Sequence, residues 1–299
     1  MFAEARSSLR TVRDLLRFAV SRFTETGLSF GHGSHSAYDE AAYLILHTLH
    51  LPLERLEPFL DAALTPAEIE AVLNIVQRRT EQRIPAAYLT REAWLGDFRF
   101  YVDERVIVPR SHIAGLLSDG LAPWVRDPQA VRHALDLCTG SGCLAILLAH
   151  TFDNASINAS DLCADALAVA EKNITDYRLQ DRIRLHTADL FSGLPATRFQ
   201  VIVCNPPYVD RQSMAALPAE YRAEPPMALD GGDDGLEVVR RIIDEAPRHL
   251  SADGVLVVEI GNHRIALERA YPKMPFTWLE TATGGTFVFL LTAADLGNL

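Results

Sequence analysis

Four consecutive residues after an apolar run have types and spacing that suit chemistry on a planar nitrogen. Asn205-Pro206-Pro207-Tyr208 directly follows the segment FQVIVC. The two prolines fix the backbone and remove two amide donors, so carbonyl oxygens at this point stay available as hydrogen-bond acceptors. Asn205 adds a side-chain carbonyl, and Tyr208 adds a flat aromatic face. The motif predicts a site for a ligand with an NH2 group, although a simple turn capped by Asn has the same sequence features.

A glycine-rich turn earlier in the chain predicts a nucleotide-like cofactor. The segment LDLCTGSGCLA, residues 135–145, places this turn between an apolar strand and an apolar helix. Glycine allows backbone angles that other residues avoid and lets a ligand approach the main chain closely. We therefore expect cofactor-binding residues along the strand end and the turn, namely Asp136, Cys138, Thr139, Gly140, Ser141 and Gly142.

Two classes of cofactor fit this turn. The spacing G-x-G-x-x-A, followed by Asp161 at the end of the next strand, also matches the dinucleotide fingerprint, in which a carboxylate binds ribose hydroxyls. NAD would place its pyrophosphate at the helix N-terminus, whereas Asp136 suits a ligand with a positive ammonium group, such as S-adenosylmethionine. Asp189 and Leu190 follow the third strand, and Asp189 is expected either to accept from an adenine amino group or to cap a helix.

The elements that must position these residues follow two different patterns. Short apolar strands alternate with helices from residue 133 onward, in the segments HALDLC, SINASD, RIRLH, FQVIVC, GVLVVEI, FTWLE and GTFVFLL. This alternation predicts an α/β fold with a mostly parallel sheet that is covered on both faces. The first 85 residues instead have helical periodicity in Ala5 to Phe23, Ala37 to His50 and Thr65 to Arg83, which predicts a small helical domain.

Between these regions, residues 86–110 are expected to form a β-hairpin linker. Their last part, FRFYVDERVIVPR, has β-forming residues on both sides of a polar centre, Asp103-Glu104-Arg105, where we place the turn. The catalytic domain would then span residues 111–299.

Composition and charge exclude several classes of protein. Apolar residues make up 48% and charged residues 22% of the 299 residues, as in ordinary globular proteins. The net charge is −11, and residues 1–85 contain nine basic and eleven acidic residues, so no direct sequence-specific nucleic acid binding is expected. The absence of a long apolar run and of a cleavable signal favours a cytoplasmic protein without membrane association. The cysteines, which contain no CxxC pair, predict reduced core thiols and no metal site: Cys138, Cys143, Cys163 and Cys204.

Together these motifs resemble the class I S-adenosylmethionine-dependent methyltransferases that act on planar nitrogens. Within this class, AAYLTREAWLGDFRFYVDERVIVPRS, CNPPYVD, LPAEYRAEPPMALDGGDDGL, VVEIGN and PFTWLE are similar to the bacterial glutamine methyltransferases that modify large-subunit ribosomal protein three. The likeness covers nearly the whole chain. The sequence differs from the family pattern at His112 and Gly115, where Pro and Glu are expected.

This resemblance implies a Rossmann-like catalytic domain with a seven-stranded, mostly parallel sheet and a helical domain that recognises the substrate. It also implies methyl transfer from S-adenosylmethionine to the side-chain amide nitrogen (N5) of a glutamine, with S-adenosylhomocysteine as product. The substrate would be the ribosomal protein, free or in an assembly intermediate. Asn205 Oδ1 and the Pro206 carbonyl would each accept one amide hydrogen, and Tyr208 would pack on the amide. Asn205, Pro206 and Tyr208 are therefore the catalytic candidates, and Pro207 joins them in substrate binding. Asn205 is also expected to contact the cofactor.

Three other functions are compatible with the motifs. A release-factor glutamine methyltransferase shares most of them, although Cys138 in the glycine turn favours the ribosomal target. A DNA adenine-N6 methyltransferase also acts on a planar NH2 group, but it would need a basic recognition domain. A non-catalytic ribosome-assembly factor would only bind the cofactor. The acidic loop after Tyr208 is interpreted either as a docking surface for a basic protein or as a solvated loop; its carboxylates are Glu220, Glu224, Asp230, Asp233 and Asp234.

Overall fold

A computed structural model describes residues 1–281 and 284–297. The chain divides into two compact units. One unit contains Met1–Ala93, Val102–Glu104 and Leu217–Ala223, and the other contains Trp94–Tyr101, Arg105–Ala216 and Glu224–Leu299. The catalytic domain predicted over 111–299 includes residues 282–283 and 298–299, which lie outside the described residues.

The first unit is helical. Its helices are α1 (Phe2–Ser8), α2 (Val12–Glu25), α3 (Ala37–Thr48), α4 (Pro66–Glu81) and α5 (Ala86–Thr90). Their core is built from buried apolar side chains that recur at helical spacing, among them Val12, Leu15, Phe23, Leu44 and Leu73.

The continuous helix predicted from Ala5 to Phe23 is wrong, because the chain is extended at Leu9 and a new helix begins after Thr11. The Asp14 amide donates to Thr11 Oγ1 at 3.2 Å, and the Thr11 amide donates to Asp14 Oδ2 at 3.0 Å. This capping box satisfies the first amides of α2 and therefore makes a fresh helix start favourable at this point.

A two-stranded sheet follows the helices. Strands β1 (Ala93–Leu95) and β2 (Phe98–Phe100) are joined by Gly96 and Asp97. The β-hairpin predicted around Asp103-Glu104-Arg105 is therefore wrong, because residues 101–112 contain no strand, although the chain does turn at Glu104 and Arg105. The tight reversal between the two paired strands lies at Gly96-Asp97 instead.

The second unit contains the large sheet. Its elements are α6 (Ile113–Ser118), β3 (His133–Leu137), α7 (Cys143–Thr151), β4 (Ser156–Asp161), α8 (Ala164–Asp176), β5 (Ile183–Thr187), β6 (Phe199–Cys204), α9 (Arg211–Ala216), α10 (Glu237–Glu245), β7 (Leu250–Glu259), α11 (Arg264–Ala270), β8 (Thr277–Leu279), β9 (Val288–Thr292) and α12 (Ala293–Leu296). The strand order is β5-β4-β3-β6-β7-β9-β8, and β9 is antiparallel to both of its neighbours while the other pairs are parallel. The predicted α/β fold with its seven-stranded, mostly parallel sheet is confirmed.

The strand order reverses beside β3, and this reversal positions the site. The chain passes from β3 to β4 on one side and later returns to β6 on the other side of β3. Leu137 is level with both Ser160 and Cys204, so the residues after β3, β4 and β6 emerge at the same edge of the sheet. Ligands of open α/β sheets bind in the crevice that such a reversal creates. No helix among the described residues is long and apolar enough to cross a membrane.

Candidate active site

A cavity of about 220 Å³ lies at the carboxyl edge of the central strands. The residues that line it include members of every motif singled out in the sequence, namely Cys138, Gly140, Asp161, Asp189, Leu190, Asn205 and Pro207. The parallel register therefore brings residues up to 69 positions apart in the chain to one cavity.

Other predicted residues lie outside this lining. Asp136 and Thr139 are buried, and Thr139 Oγ1 donates a hydrogen bond to Asp136 Oδ2 at 2.6 Å. Ser141 is also buried, as is Pro206, whereas Tyr208 is half-buried.

Asp136 is a buried carboxylate with an unused oxygen. Its side chain has no exposed surface, and Oδ1 has no hydrogen-bond partner among the described residues. Burial raises the pKa of Asp136 to about 7, and the Thr139 hydroxyl and the Ala145 amide act in the opposite direction. By hydrogen-bond geometry, however, neither group is a partner of Oδ1. Oδ1 is thus an acceptor suited to a cationic donor.

Asp161 holds the glycine turn in place. Its Oδ2 accepts from the Gly140 amide and its Oδ1 accepts from the Cys163 amide, both at 2.9 Å. Burial raises the pKa of Asp161, and the two amides lower it. Because a carboxylate oxygen can accept more than one hydrogen, Asp161 can bind hydroxyl groups in the cavity while it fixes the turn.

Helix α8 packs against the glycine turn. Gly142 has φ +79°, and a Cβ atom at this position would lie 3.1 Å from the Ala170 Cβ. Asn173 Nδ2, one turn further along α8, donates to the Ser141 carbonyl at 2.8 Å. The sequence interpretation missed Asn173, although an Asn on the otherwise apolar buried face of an amphipathic helix signals such a hydrogen bond.

Asp189 has a partner that the sequence did not reveal. Arg241 Nη2 of α10 lies 2.9 Å from Asp189 Oδ1, and both side chains are half-exposed. The side chain does not serve as a helix cap in any described contact. The Asp189 carboxylate is thus held by an ion pair with α10.

The Asn205-Pro206-Pro207-Tyr208 motif is held by a returning segment of its own loop. The Val209 amide donates to the Leu229 carbonyl at 2.8 Å, and the Gly231 amide donates to the Val209 carbonyl at 2.9 Å. Within this support, Asn205 Oδ1 is buried and has no hydrogen-bond partner among the described residues. The motif therefore presents an unpaired acceptor beside the cavity.

Two carboxylates of the acidic loop are structural, so for them the docking and solvation interpretations are both wrong. Glu224 is buried and accepts from the Val108 amide at 2.9 Å and from Arg110 Nη2 at 2.6 Å. Glu220 is buried within the helical unit and accepts from Arg83 Nη1 at 3.1 Å. The other three carboxylates predicted for docking or solvation are exposed: Asp230, Asp233 and Asp234.

The two departures from the family pattern also have a structural context. The His112 amide donates to Glu259 Oε2 at 2.9 Å, a hydrogen bond that proline could not make, and its ring stacks on Phe287 with centroids 4.8 Å apart. A Cβ atom at Gly115 would meet no described atom within 4 Å. The missing carboxylate at position 115 therefore leaves open space and disturbs no packing.

The fold and the site together define a class I S-adenosylmethionine-dependent methyltransferase. The family model described as "Methyltransferase small domain" matches residues 119–219. Among solved structures, the hMettl16 catalytic domain in complex with MAT2A 3′UTR hairpin 1 has a TM-score of 0.51 and 19% sequence identity, and covers 85% of this chain and 90% of that chain. At this identity the likeness concerns the fold alone.

Curated relatives are much more similar in sequence. The ribosomal protein uL3 glutamine methyltransferase of Burkholderia pseudomallei is 60% identical over 294 residues, which is 96% of this chain and 96% of the relative. The protein of the same name from Bradyrhizobium diazoefficiens is 48% identical over 297 residues, covering 97% and 93% of the two chains. The chain belongs to the ribosomal protein uL3 glutamine methyltransferase family, which confirms the resemblance deduced from the motifs.

Proposed function

We propose that this protein transfers a methyl group from S-adenosylmethionine to the side-chain amide nitrogen (N5) of a glutamine in large-subunit ribosomal protein three, uL3. The observation that carries this proposal is the buried, unpaired Oδ1 of Asn205 beside the cavity. A buried acceptor without a donor costs about 1–3 kcal/mol. The NH2 group of a glutamine side chain would supply the missing donor and offset that cost.

The residues around the cavity fit S-adenosylmethionine. Asp136 Oδ1 is a second buried acceptor without a partner, and it suits the α-ammonium group. Asp161 would bind the ribose hydroxyls and Asp189 the adenine amino group, while the exposed apolar side chain of Leu162 offers a surface for the adenine ring. Main-chain groups of the turn, Cys138 to Gly142, and of Leu190 would complete this site. When bound, the cofactor supplies the methyl group as an electrophile.

The protein's own residues would make the amide nitrogen reactive. The lone pair of an amide nitrogen is delocalised into its carbonyl, so the nitrogen must be oriented accurately and its growing positive charge must be stabilised. Asn205 Oδ1 and the Pro206 carbonyl would accept the two amide hydrogens, which places negative partial charge beside the nitrogen. Tyr208 would pack on the planar amide. The nitrogen loses its proton easily once alkylated, so the site needs no strong base.

The helical unit would recognise the ribosomal protein, either free or in an assembly intermediate. Every residue that lines the cofactor cavity belongs to the sheet unit, so the helical unit is not needed to form that cavity. A ribosomal substrate also implies that the enzyme acts in the cytoplasm.

Methyl incorporation tests this function. Purified enzyme, labelled S-adenosylmethionine and ribosomal proteins from a strain that lacks the enzyme should give label in uL3, at one glutamine that mass spectrometry can locate. Release factors and duplex DNA serve as comparison substrates in the same assay. Label in either of these, with none in uL3, would contradict the proposal and support one of the other methyltransferase functions.

The raised pKa of Asp136 predicts that cofactor binding depends on pH. Only the ionised carboxylate attracts an ammonium group, and the ionised fraction falls as the pH drops below the pKa of about 7. The dissociation constant of S-adenosylmethionine should therefore rise by about five- to tenfold between pH 7.5 and pH 6, since the competent fraction scales the apparent affinity. Titration calorimetry at each pH would measure this dissociation constant. Asp136→Asn should bind more weakly and with a flat pH profile, whereas an equally steep profile in this variant would assign the effect to another group.

A further inference from the structure

Glu259 is a buried carboxylate at the same edge of the sheet as Asn205. It is the last residue of β7, and the register of β6 and β7 places Cys204 level with Val258. Asn205 and Glu259 therefore leave neighbouring strands side by side. The Glu259 side chain is only 1% exposed, and a charge buried to this extent needs close hydrogen-bond donors.

Three groups from two distant segments donate to this carboxylate. Tyr208 Oη donates to Glu259 Oε1 at 3.0 Å. On the other oxygen, Ser111 Oγ and the His112 amide donate to Oε2 at 2.8 and 2.9 Å. Since both carboxylate oxygens have donors, the plane of the carboxylate is fixed. The position of Oε1, to which the Tyr208 hydroxyl donates, is therefore fixed as well.

The Tyr208 ring is also confined by the chain just beyond Glu259. Gly261 has φ +54°, and a Cβ atom there would lie 2.8 Å from Tyr208 Cε2. The ring is thus packed against a backbone that no side chain separates from it, and its hydroxyl is tied to Glu259. Packing and hydrogen bond together select one ring orientation.

We propose that Glu259 is a positioning residue for methyl transfer, which fixes the Tyr208 ring on which the substrate amide packs. This inference rests on the proposed function, because the role of Tyr208 belongs to it. Glu259 acts through Tyr208 and does not contact the reacting atoms. Through Ser111 and His112, the same carboxylate joins the Tyr208 ring to the segment that begins at Val108 and is held by Glu224.

Glu259→Gln tests the proposal. The amide keeps one acceptor oxygen but presents an NH2 group on the other side. Either the His112 amide then loses its acceptor, or the Tyr208 hydroxyl must accept from the NH2 group in a neutral hydrogen bond that replaces the charge-assisted one. Hydrogen bonds to charged groups are strong enough that kcat for uL3 should fall by roughly 10- to 100-fold. The dissociation constant of S-adenosylmethionine, measured by calorimetry, should stay within about twofold of wild type. Glu171→Gln, an exposed change on α8, is the matched control and should leave both values unchanged.

A double-mutant cycle with Tyr208→Phe separates positioning from a general structural role. If Glu259 acts through the Tyr208 hydroxyl, the double variant should be no more than about threefold slower than the slower single variant. The proposal would be overturned if the fold-losses in kcat of the two single variants multiplied in the double variant. It would also be overturned if kcat of the Glu259→Gln enzyme were within threefold of the wild-type value. If the Glu259→Gln variant does not fold, Ser111→Ala takes its place in the double-mutant cycle with Tyr208→Phe. The same threefold limit on the double variant then applies. A wild-type enzyme that does not label uL3 would instead show that the proposed function fails.

Discussion

Replacing Asn205 with alanine should slow methyl transfer by about 100- to 1000-fold, the loss expected for one preorganised polar contact in a transition state. The buried Oδ1 has no hydrogen-bond partner among the described residues, so the change removes an acceptor and breaks no described hydrogen bond of that atom. Its bond to the substrate amide would strengthen as the nitrogen becomes positive. The loss should therefore appear in kcat, while the affinity for S-adenosylmethionine changes far less.

Single-turnover rates with saturating cofactor measure this effect directly. Asn205→Asp preserves size and acceptors but adds a charge, which should perturb the orientation of the amide and leave cofactor binding intact, so poor activity is expected. Asn154→Ala, at an exposed asparagine that contacts Gln129, is the matched control. A rate for Asn205→Ala within threefold of wild type would show that the motif is only a structural turn.

The second large effect is on stability: Arg79→Met should lower the free energy of unfolding by about 3–5 kcal/mol, as expected when one partner of a buried ion pair is removed. Arg79 is 1% exposed. Its Nε donates to Glu40 Oε1 at 2.6 Å, and its Nη1 donates to Glu220 Oε1 at 3.3 Å. Methionine would fill most of the space of the Arg79 side chain, but Glu40 would lose its ion pair with Arg79. Glu220 would keep only its ion pair with Arg83 among those described.

Urea unfolding followed by circular dichroism would measure the loss, with the exposed neighbour Arg78→Met as control. The pH dependence provides a second check. Burial raises the pKa of Glu40 and Arg79 lowers it, so without Arg79 that pKa should rise further. When the folded-state pKa of a carboxyl group lies above its unfolded value, ionisation of that group destabilises the folded protein. The stability loss of Arg79→Met relative to wild type should therefore shrink as the pH falls from 8 to 5 and Glu40 becomes protonated. A loss below 1 kcal/mol at pH 8 would contradict the assigned role of Arg79.

Local patterns were enough to predict the sheet and the residues at its edge. The central strands β6 and β7 were visible as apolar runs, because a strand buried on both faces has few polar positions, and the other strands were visible as short segments that alternate with helices. The glycine turn after β3, Asp161 at the end of β4 and Asn205 after β6 could then be placed together, since parallel strands end at a common edge. The motifs themselves were specific enough to identify the family.

Local patterns did not predict which polar side chains would be buried, or with which partners. In the sequence, Glu220 and Glu224 look like parts of one acidic loop that either docks a basic protein or is solvated. In the structure, Glu220 is buried with arginines of the helical unit and Glu224 with Arg110 of the sheet unit. Segment 217–223 belongs to the helical unit, although all other residues of that unit precede residue 105. No change of composition along the chain indicates this assignment.

The same limit applies to the Glu259 cluster. Its donors Tyr208 and Ser111 lie 51 and 148 positions away in the chain, and His112 donates through a backbone amide that carries no signature of its residue type. Sequence periodicity reports which face of an element is apolar, because burial of apolar surface depends on local spacing. The partner of a buried charge depends on which distant segments the completed fold brings within about 3 Å, the length of a hydrogen bond, and only the tertiary structure determines that.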